Sequence, residues 1–182
     1  MFSLPTRRNP VAPSEWERRI AIDGIGDILV RPVRPEDEVL YPDFFRQVSS
    51  DDMRLRFFAP VKNIGHPFIA RLTQLDYARA MAFAAISEST RQLLGVVRLH
   101  SDANYETGEY AILLRSDLKG HGLGWKLMEL MIQYARAEGL RRIDGQVLTG
   151  NAAMLKMCRE LGFTVDAEKH DQSIFDVSLS LC

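Results

Sequence analysis

The hydrophobic and polar positions of this chain follow two periods, and each period predicts one type of element. Short apolar runs bounded by turn residues predict strands at 19–22, 28–31, 80–87, 93–100, 109–115, 142–148, 163–165 and 173–181. Apolar residues at helical spacing, together with acidic first turns and glycine ends, predict helices from residue 35 onward and at 51–58, 68–75, 126–138 and 152–161. Pro42 must lie near the first turn of the first helix, or else kink it.

The order of these elements predicts the fold class. Two strands at the start, several helices, three strands, and then alternating helices and strands indicate an α+β or mixed α/β domain with one central sheet. The first 17 residues carry three prolines among polar residues, so we expect an extended arm over 1–17 and a single domain over 18–182.

Charge and composition narrow the functional classes. With 182 residues, a net charge of -1 and a pI near 6.4, the chain has no overall attraction to nucleic acid or to an anionic membrane. No apolar run has the length of a membrane span. Cys158 and Cys182 show no metal-ligand spacing. We therefore expect a cytoplasmic protein without a metal site, a nucleic-acid partner or a membrane partner.

A glycine-rich turn, Lys119-Gly-His-Gly-Leu-Gly124, joins the strand at 109–115 to the helix at 126–138. Such a turn presents free backbone N–H groups, which suit an anion and most often a phosphate. Trp125 stands where a dinucleotide fingerprint needs glycine, and the Gly-Lys-Ser/Thr of a P-loop is absent. From the glycines alone, simple chain reversal is an equally good interpretation.

The pattern Lys119-x-x-Gly122-x-Gly124 resembles the pyrophosphate loop of the GNAT superfamily of acetyl-CoA-dependent N-acetyltransferases, which reads Arg/Gln-x-x-Gly-x-Gly/Ala. Lys119 replaces the usual Arg or Gln, a mild departure because that position contributes mainly its backbone amide. The resemblance covers about residues 28–180. It implies a GNAT-like domain whose central, mostly antiparallel sheet is flanked by helices and has splayed central strands.

The resemblance also implies which residues contact acetyl-CoA. The loop and helix start would bind the pyrophosphate through Lys119, Gly120, His121, Gly122, Leu123, Gly124 and Trp125. The pantetheine arm would pair with the central strand at Ile112, Leu113 and Leu114, where an amide is also the natural donor to the oxyanion, and would bond Asn151.

A second set of motifs resembles one GNAT branch, the Pat-type protein lysine acetyltransferases. These motifs are Gly108-Glu-Tyr-Ala-Ile112, the segments 31–37, 72–77 and 115–120, and Leu55-Arg-Phe-Phe58. In that branch a glutamate of this strand is the catalytic base, which implies this role for Glu109. A base is needed because a lysine amine, with a pKa of about 10.4, is almost fully protonated at pH 7. Without the resemblance, Glu109 is more simply a solvated residue at a strand start.

Two features of the predicted site leave alternatives open. Cys158 stands where many family members place a tyrosine that protonates the leaving thiolate, and we interpret it as a small buried core residue. The arginines and phenylalanines of 51–58 could form a substrate wall, but a solvated face with a buried phenylalanine pair is the favoured interpretation.

The predicted function is acetyl-CoA-dependent N-acetylation of a primary amine, with a protein lysine, such as one on an acyl-CoA synthetase, as the first choice of acceptor. A small-molecule amine N-acetyltransferase and a non-catalytic CoA-binding regulatory module are the alternatives. The acceptor should lie against the helices around 36–75, and the terminal strands leave edges that could pair in a homodimer.

Overall fold

The computed structural model describes residues 12–166 and 173–182. Within these residues, eight strands form one sheet in the spatial order β1-β2-β3-β4-β5-β6-β8-β7. The strands are β1 Arg18–Ile22, β2 Gly26–Pro32, β3 Ala80–Ser87, β4 Leu93–Ser101, β5 Thr107–Leu114, β6 Arg142–Leu148, β7 Thr164–Asp166 and β8 Ile174–Ser180. The helices are α1 Tyr41–Arg46, α2 Ser50–Phe57, α3 His66–Thr73, α4 Leu123–Ala137 and α5 Ala152–Glu160. The predicted α+β class with one central sheet is confirmed.

The sheet is antiparallel except at its centre. Strands β1 to β5 form a continuous antiparallel meander, and β8 pairs antiparallel with both β6 and β7. Strands β5 and β6 are parallel, and their pairing runs only from Thr107 with Arg142 to Glu109 with Asp144. Beyond Glu109 the two strands separate, as the predicted splayed central strands require.

Helices cover both faces of the sheet, and each face has its own apolar cluster. One cluster combines residues of β3, β4 and β5 with α4 and α5, whereas the other combines the alternate residues of the same strands with α1, α2 and α3. Strand β3 is apolar at nearly every position because both of its faces are buried. The helix predicted after the glycine turn has the apolar face that its spacing indicates, and the residues of that face are buried: Leu127, Leu130, Met131, Tyr134 and Ala135.

Three helix starts differ from the predicted ones by more than one residue. Residues Pro35–Leu40 form a 3-10 turn, and α1 follows with Pro42 in its first turn, where a missing N–H costs no hydrogen bond. His66 and Pro67 open α3 rather than preceding it. Helix α4 begins at Leu123, three residues before the predicted start, because Gly122 in the left-handed region (φ +91°) precedes it directly.

The predicted arm lies mostly in residues 1–11, which are outside the described residues. Residues Ser14–Trp16 form a 3-10 turn. The ring of Trp16 packs against Phe83 and Tyr134, at centroid distances of 6.2 and 5.2 Å, so this turn covers one end of the core. Over 12–166 and 173–182, no helix has both the length and the apolar character needed to cross a membrane.

Candidate active site

A cavity of about 350 Å³ is bordered by β5, β6, α2, α5 and the turn before α4. It brings together residues that lie far apart in the sequence. All but two of the predicted site residues line it, namely Glu109, Ile112, Leu113, Leu114, Lys119, Gly120, Gly122, Gly124, Trp125 and Asn151.

The two exceptions are His121 and Leu123. The imidazole of His121 lies beside the β1–β2 turn, where a Cβ added to Gly24 would be 3.1 Å from its Nδ1 atom. The side chain of Leu123 is fully buried in the core. The Leu123 side chain therefore serves packing, whereas the exposed His121 side chain lies beside the β1–β2 turn and not in the cavity wall. A contact of either residue with a ligand in the cavity would use its backbone amide.

The backbone of the glycine turn is open towards the cavity. Gly120 and Gly122 have φ of +82° and +91°, and a Cβ added to either one would meet no atom within 4 Å. The first hydrogen bond of α4 runs from the N–H of Lys126 to the carbonyl of Gly122 at 3.1 Å. The N–H groups at the start of α4 thus have no intrahelical acceptor, and the positive end of the helix dipole lies here. This geometry fits a diphosphate.

The absence of a side chain matters at Gly124 for a different reason than at Gly120 and Gly122. A Cβ at this position would lie 3.2 Å from Cδ1 of Leu114 and close to Ile112. The absence of a side chain lets the first turn of α4 approach β5 closely, which brings the two backbone surfaces of the cavity side by side.

Asp52 connects helix α2 to the glycine turn, a contact that no motif of the sequence predicts. Its carboxylate pairs with the ammonium of Lys119 and accepts a hydrogen bond from Oγ of Ser116 at 2.5 Å. Burial opposes ionisation, but the hydrogen bonds from Lys119 and Ser116 and the charge of Lys119 hold the pKa of Asp52 below its usual range. The Lys119 side chain is thereby engaged, which leaves its backbone to the turn.

The backbone of β5 presents free groups where β6 diverges. The N–H of Arg115 donates to the carbonyl of Leu94 at 2.9 Å, so the antiparallel ladder with β4 uses the odd-numbered residues of β5. The backbone groups of Ile112 and Leu114 therefore face away from β4, into the space that β6 has left. The backbone groups of Leu113 belong to the ladder with β4.

Glu109 lies at the last residue pair before β5 and β6 separate. Its side chain is exposed and lines the cavity. Its negative charge is close enough to the guanidinium of Arg56 to favour the protonated form of that arginine. Burial, reinforced by the positive charge of Arg98, nevertheless lowers the pKa of Arg56 to about 10.

Asn151 begins helix α5 at the opposite wall of the cavity. Its Oδ1 accepts a hydrogen bond from the N–H of Met154 at 3.3 Å, which caps the helix. Its side-chain amide nitrogen has no acceptor among the residues that the structure describes, and it is available to a ligand.

Cys158 is fully buried and does not line the cavity. Its Sγ lies 3.1 Å from the hydroxyl of Tyr110. Burial raises the pKa of the Cys158 thiol, and burial also raises the pKa of Tyr110. The interpretation of Cys158 as a buried core residue is confirmed.

The favoured interpretation of 51–58, with a buried phenylalanine pair, is wrong for Phe58. Helix α2 ends at Phe57, and Phe58 adopts the left-handed conformation (φ 60°). Its side chain is 41% exposed and lines the cavity with Leu55 and Arg56. Phe57 instead packs on Phe68 at a centroid distance of 5.4 Å. The alternative, in which this segment forms a wall of the site, describes the structure better.

Known proteins with similar sequences and folds include several acetyltransferases. Acetyltransferase PA5475 of Pseudomonas aeruginosa is 28% identical over 155 residues, which are 84% of this chain and 83% of that protein. The GNAT domain of S. lividans PAT superposes with a TM-score of 0.84 at 25% identity, over 92% of this chain and 98% of that domain. The L-methionine sulfoximine/L-methionine sulfone acetyltransferase of Pseudomonas aeruginosa is 37% identical over 62 residues, which are only 34% of this chain and 36% of that enzyme.

The family profile of the acetyltransferase (GNAT) domain matches residues 27–164, which is most of the described chain. The sequence resemblance to this family is thereby confirmed, and so is the predicted enzyme class of N-acetyltransferase. The chain belongs to the GNAT acetyltransferase family.

Proposed function

We propose that this protein transfers the acetyl group of acetyl-CoA to a primary amine, with a protein lysine as the acceptor and Glu109 as the general base. One observation carries the proposal. A single cavity joins a turn of free backbone amides at the start of α4, the unpaired backbone groups of β5, and the carboxylate of Glu109.

The proposed binding mode uses the two backbone surfaces of the cavity. The amides from Gly120 to Trp125 would hold the diphosphate of CoA, and the open sides of Gly120 and Gly122 leave room for it. The groups of Ile112 and Leu114 that face away from β4 would bond the amides of the pantetheine arm, as an added strand would. Asn151 would donate its side-chain amide to the same arm.

Bound acetyl-CoA supplies an activated acyl group as a thioester, and the protein supplies proton transfer and orientation. The acceptor arrives as an ammonium, and Glu109 takes its proton, directly or through water, so that the neutral amine can attack. The N–H groups of Ile112 and Leu114 pair with neither β4 nor β6, so one of them can donate a hydrogen bond to the oxyanion that develops. Attack forms the C–N bond, and the C–S bond then breaks while the nitrogen loses its second proton. Because Cys158 is buried away from the cavity, we propose that this proton passes to solvent and that the leaving thiolate takes its proton from solvent.

The choice of a protein lysine rests on similarity to Pat-type domains, through the motifs around Glu109 and at 55–58 and the match to the S. lividans PAT domain. Phe58 adds an exposed apolar surface at the cavity wall, which suits contact with a larger acceptor. The short but closer match to an acetyltransferase of L-methionine derivatives favours the second candidate, a small-molecule amine.

An acceptor screen decides between these candidates. The purified protein is incubated with acetyl-CoA, and free thiol is followed in the presence of amino acids, L-methionine sulfone, polyamines or candidate proteins such as acyl-CoA synthetases. Thiol release with a protein, and mass spectrometric detection of an acetylated lysine, would support the first choice. Release with small amines alone would reject it in favour of the second.

The same screen tests whether the protein is an enzyme at all. Calorimetric binding of CoA without thiol release for any acceptor would indicate a regulatory module that binds the cofactor without turnover. The absence of CoA binding at millimolar concentration would reject every form of the proposal.

A further inference from the structure

Two arginines lie side by side beneath the acceptor side of the cavity. Arg56 belongs to α2 and Arg98 to β4, and their charges are close enough that Arg98 lowers the pKa of Arg56. Both guanidinium groups are largely removed from solvent. Two like charges in a desolvated site repel each other, so their proximity has an electrostatic cost.

No carboxylate of the described residues forms an ion pair with either arginine. Arg98 donates one N–H to the carbonyl of Leu72, which fixes its orientation. Arg56 stacks on the ring of Phe57, with Cζ 4.5 Å from the ring centroid, and donates no hydrogen bond to another described residue. The pair is therefore held in place, but its charge is not compensated by direct contact.

The hydroxyl of Tyr41 is a third polar group beside Arg56 and Arg98. This hydroxyl is buried and makes no hydrogen bond of ordinary geometry to a described residue. Burial raises the pKa of Tyr41 to about 12, and the guanidinium of Arg98 is close enough to oppose that rise through its charge and a weak hydrogen-bonding contact. A buried hydroxyl without a well-formed hydrogen bond is unfavourable, and a ligand oxygen placed beside it would remove that cost. Tyr41, Arg56 and Arg98 all line one small cavity of about 20 Å³. That volume is enough for one water molecule or one ligand oxygen.

This small cavity adjoins the large one that contains Glu109. Arg56 and Leu113 line both cavities. The side chains of Glu109, Ala111 and Leu113 point to the same face of β5, because residues two apart in a strand share a face. A molecule whose amine lies at Glu109 can therefore place a second group at Arg56.

We propose that Arg56, Arg98 and Tyr41 bind a carboxylate of the acceptor, so that the preferred substrate carries a carboxylate close to the amine that is acetylated. This inference rests on the proposed acetyltransferase function. One carboxylate oxygen would enter the small cavity and satisfy the Tyr41 hydroxyl, while the negative charge would compensate the two arginines. The carboxylate can come from a free amino acid or from an acidic residue next to a target lysine.

The experiment compares paired acceptors that differ only in this group. One arm uses a peptide with a single lysine flanked by glutamate, against the same peptide with glutamine. The other arm uses L-lysine against L-lysinamide. In one of the arms, kcat/KM should favour the carboxylate member by about tenfold to a hundredfold, because a charge-assisted hydrogen bond is lost with the amide. The arm that shows the preference identifies the source of the carboxylate.

Substitutions assign the preference to its residues. Arg56→Gln should bring the ratio of the two kcat/KM values close to one, because only the carboxylate acceptor loses its charged partner; any change that the substitution makes to turnover of both acceptors cancels in that ratio. Arg54→Gln is the matched control, because Arg54 lies on the same helix but is exposed and lines neither cavity. It should keep the preference.

Tyr41→Phe removes one hydroxyl and preserves the ring packing, so it replaces Arg56→Gln as the test variant if Arg56→Gln does not fold. It should weaken the preference in the same arm. Equal rates for both members of each pair, or an unchanged preference in Arg56→Gln or Tyr41→Phe, would overturn the inference while the acetyltransferase function stands. Absence of turnover with every acceptor would instead defeat the proposed function and this inference with it.

Discussion

The ring of Tyr110 on β5 lies against the α-carbon of Gly145 on β6, at the point where the two strands separate. A Cβ added to Gly145 would be 2.2 Å from Cε1 of this ring. The Tyr110 hydroxyl, in turn, is held by Cys158 of α5 at 3.1 Å. The ring therefore fills the start of the space between the strands, and a side chain on β6 at this position would compete with it.

Gly145→Ala should destabilise the protein, because the ring or one of the strands must move to accept the methyl group. Overpacking of this type costs about 1–3 kcal/mol. Urea unfolding measures the change, and CoA binding should weaken in parallel because the wall of the cavity shifts. Gly150→Ala is the control, since a Cβ there meets nothing within 4 Å. Equal stabilities of the two variants would contradict this account of Tyr110.

Gly122→Ala should weaken CoA binding by more than its effect on folding explains. Gly122 and Gly139 both have positive φ, and a Cβ added to either would meet no atom within 4 Å, so alanine costs each about 1–2 kcal/mol of conformational energy. Of these two glycines, only Gly122 lines the cavity. Calorimetry should therefore show CoA affinity reduced about tenfold or more in Gly122→Ala and unchanged in Gly139→Ala. Matching affinities would place the diphosphate elsewhere.

Glu109→Gln should lower kcat about 100-fold to 10,000-fold, the usual contribution of a general base, without changing CoA affinity. The remaining activity should rise with pH, because the neutral fraction of the acceptor amine increases. Steady-state rates over a pH series, with calorimetry of CoA at pH 7, measure both effects. Glu106→Gln removes a nearby exposed carboxylate outside the cavity and should behave as the parent protein. A parent-like rate in Glu109→Gln would exclude this glutamate as the base.

Because Asp52 contacts Lys119 and Ser116, the free energy of unfolding should depend on pH in the acidic range. The pKa of Asp52 is lower in the folded protein than in the unfolded chain, so its stabilisation is present above the ordinary aspartate pKa and is lost as pH falls through the folded value. Asp52→Asn should cost about 1.5–3 kcal/mol at pH 7 and less at pH 3, which lies below the ordinary aspartate pKa. Urea unfolding at both pH values tests this, with the exposed Asp51→Asn as the control. A deficit that is equal at both pH values would disprove the linkage.

The thiols of Cys158 and Cys182 should differ in how fast they react and in what they contribute to stability. Cys182 is exposed and should react quickly with a disulfide reagent, whereas buried Cys158 should react only as the protein unfolds. Cys158→Ala should retain most of the activity yet cost about 1–3 kcal/mol, because the Tyr110 hydroxyl loses its partner. Adding Tyr110→Phe should recover part of that stability. A large loss of kcat in Cys158→Ala, with folding intact, would restore the thiol as a proton donor.

The sequence predicts best those elements whose residues carry their own signal. Strands β3 and β6 have the bounds that the sequence predicts, because their apolar residues and flanking turns are local features. The sequence also predicts that Glu109, the glycine turn and Asn151 belong to the site, because each lies in a motif of consecutive residues. The predicted start of α4 is too late because glycines at its first turn conceal the helical period.

The contacts that the sequence does not reveal join segments distant in the chain. Asp52 and Lys119 are 67 positions apart, and the local sequence around either residue does not predict contact with the other. The same holds for Arg56 and Arg98, which line the same small cavity only because α2 packs on β5, the strand next to β4. The hydrophobicity of Phe58 predicts an interior position, whereas its left-handed backbone turns it to the cavity.

The early end of the β5–β6 ladder gives this sheet a third border, in its interior, besides the outer borders at β1 and β7. In deuterium exchange, the amides of Ile112 and Leu114 should behave as those of a peripheral strand although further strands lie on both sides of β5. A bound pantetheine arm would pair with that border and slow the exchange of these amides. Its binding energy would also raise the free energy of unfolding of the whole domain.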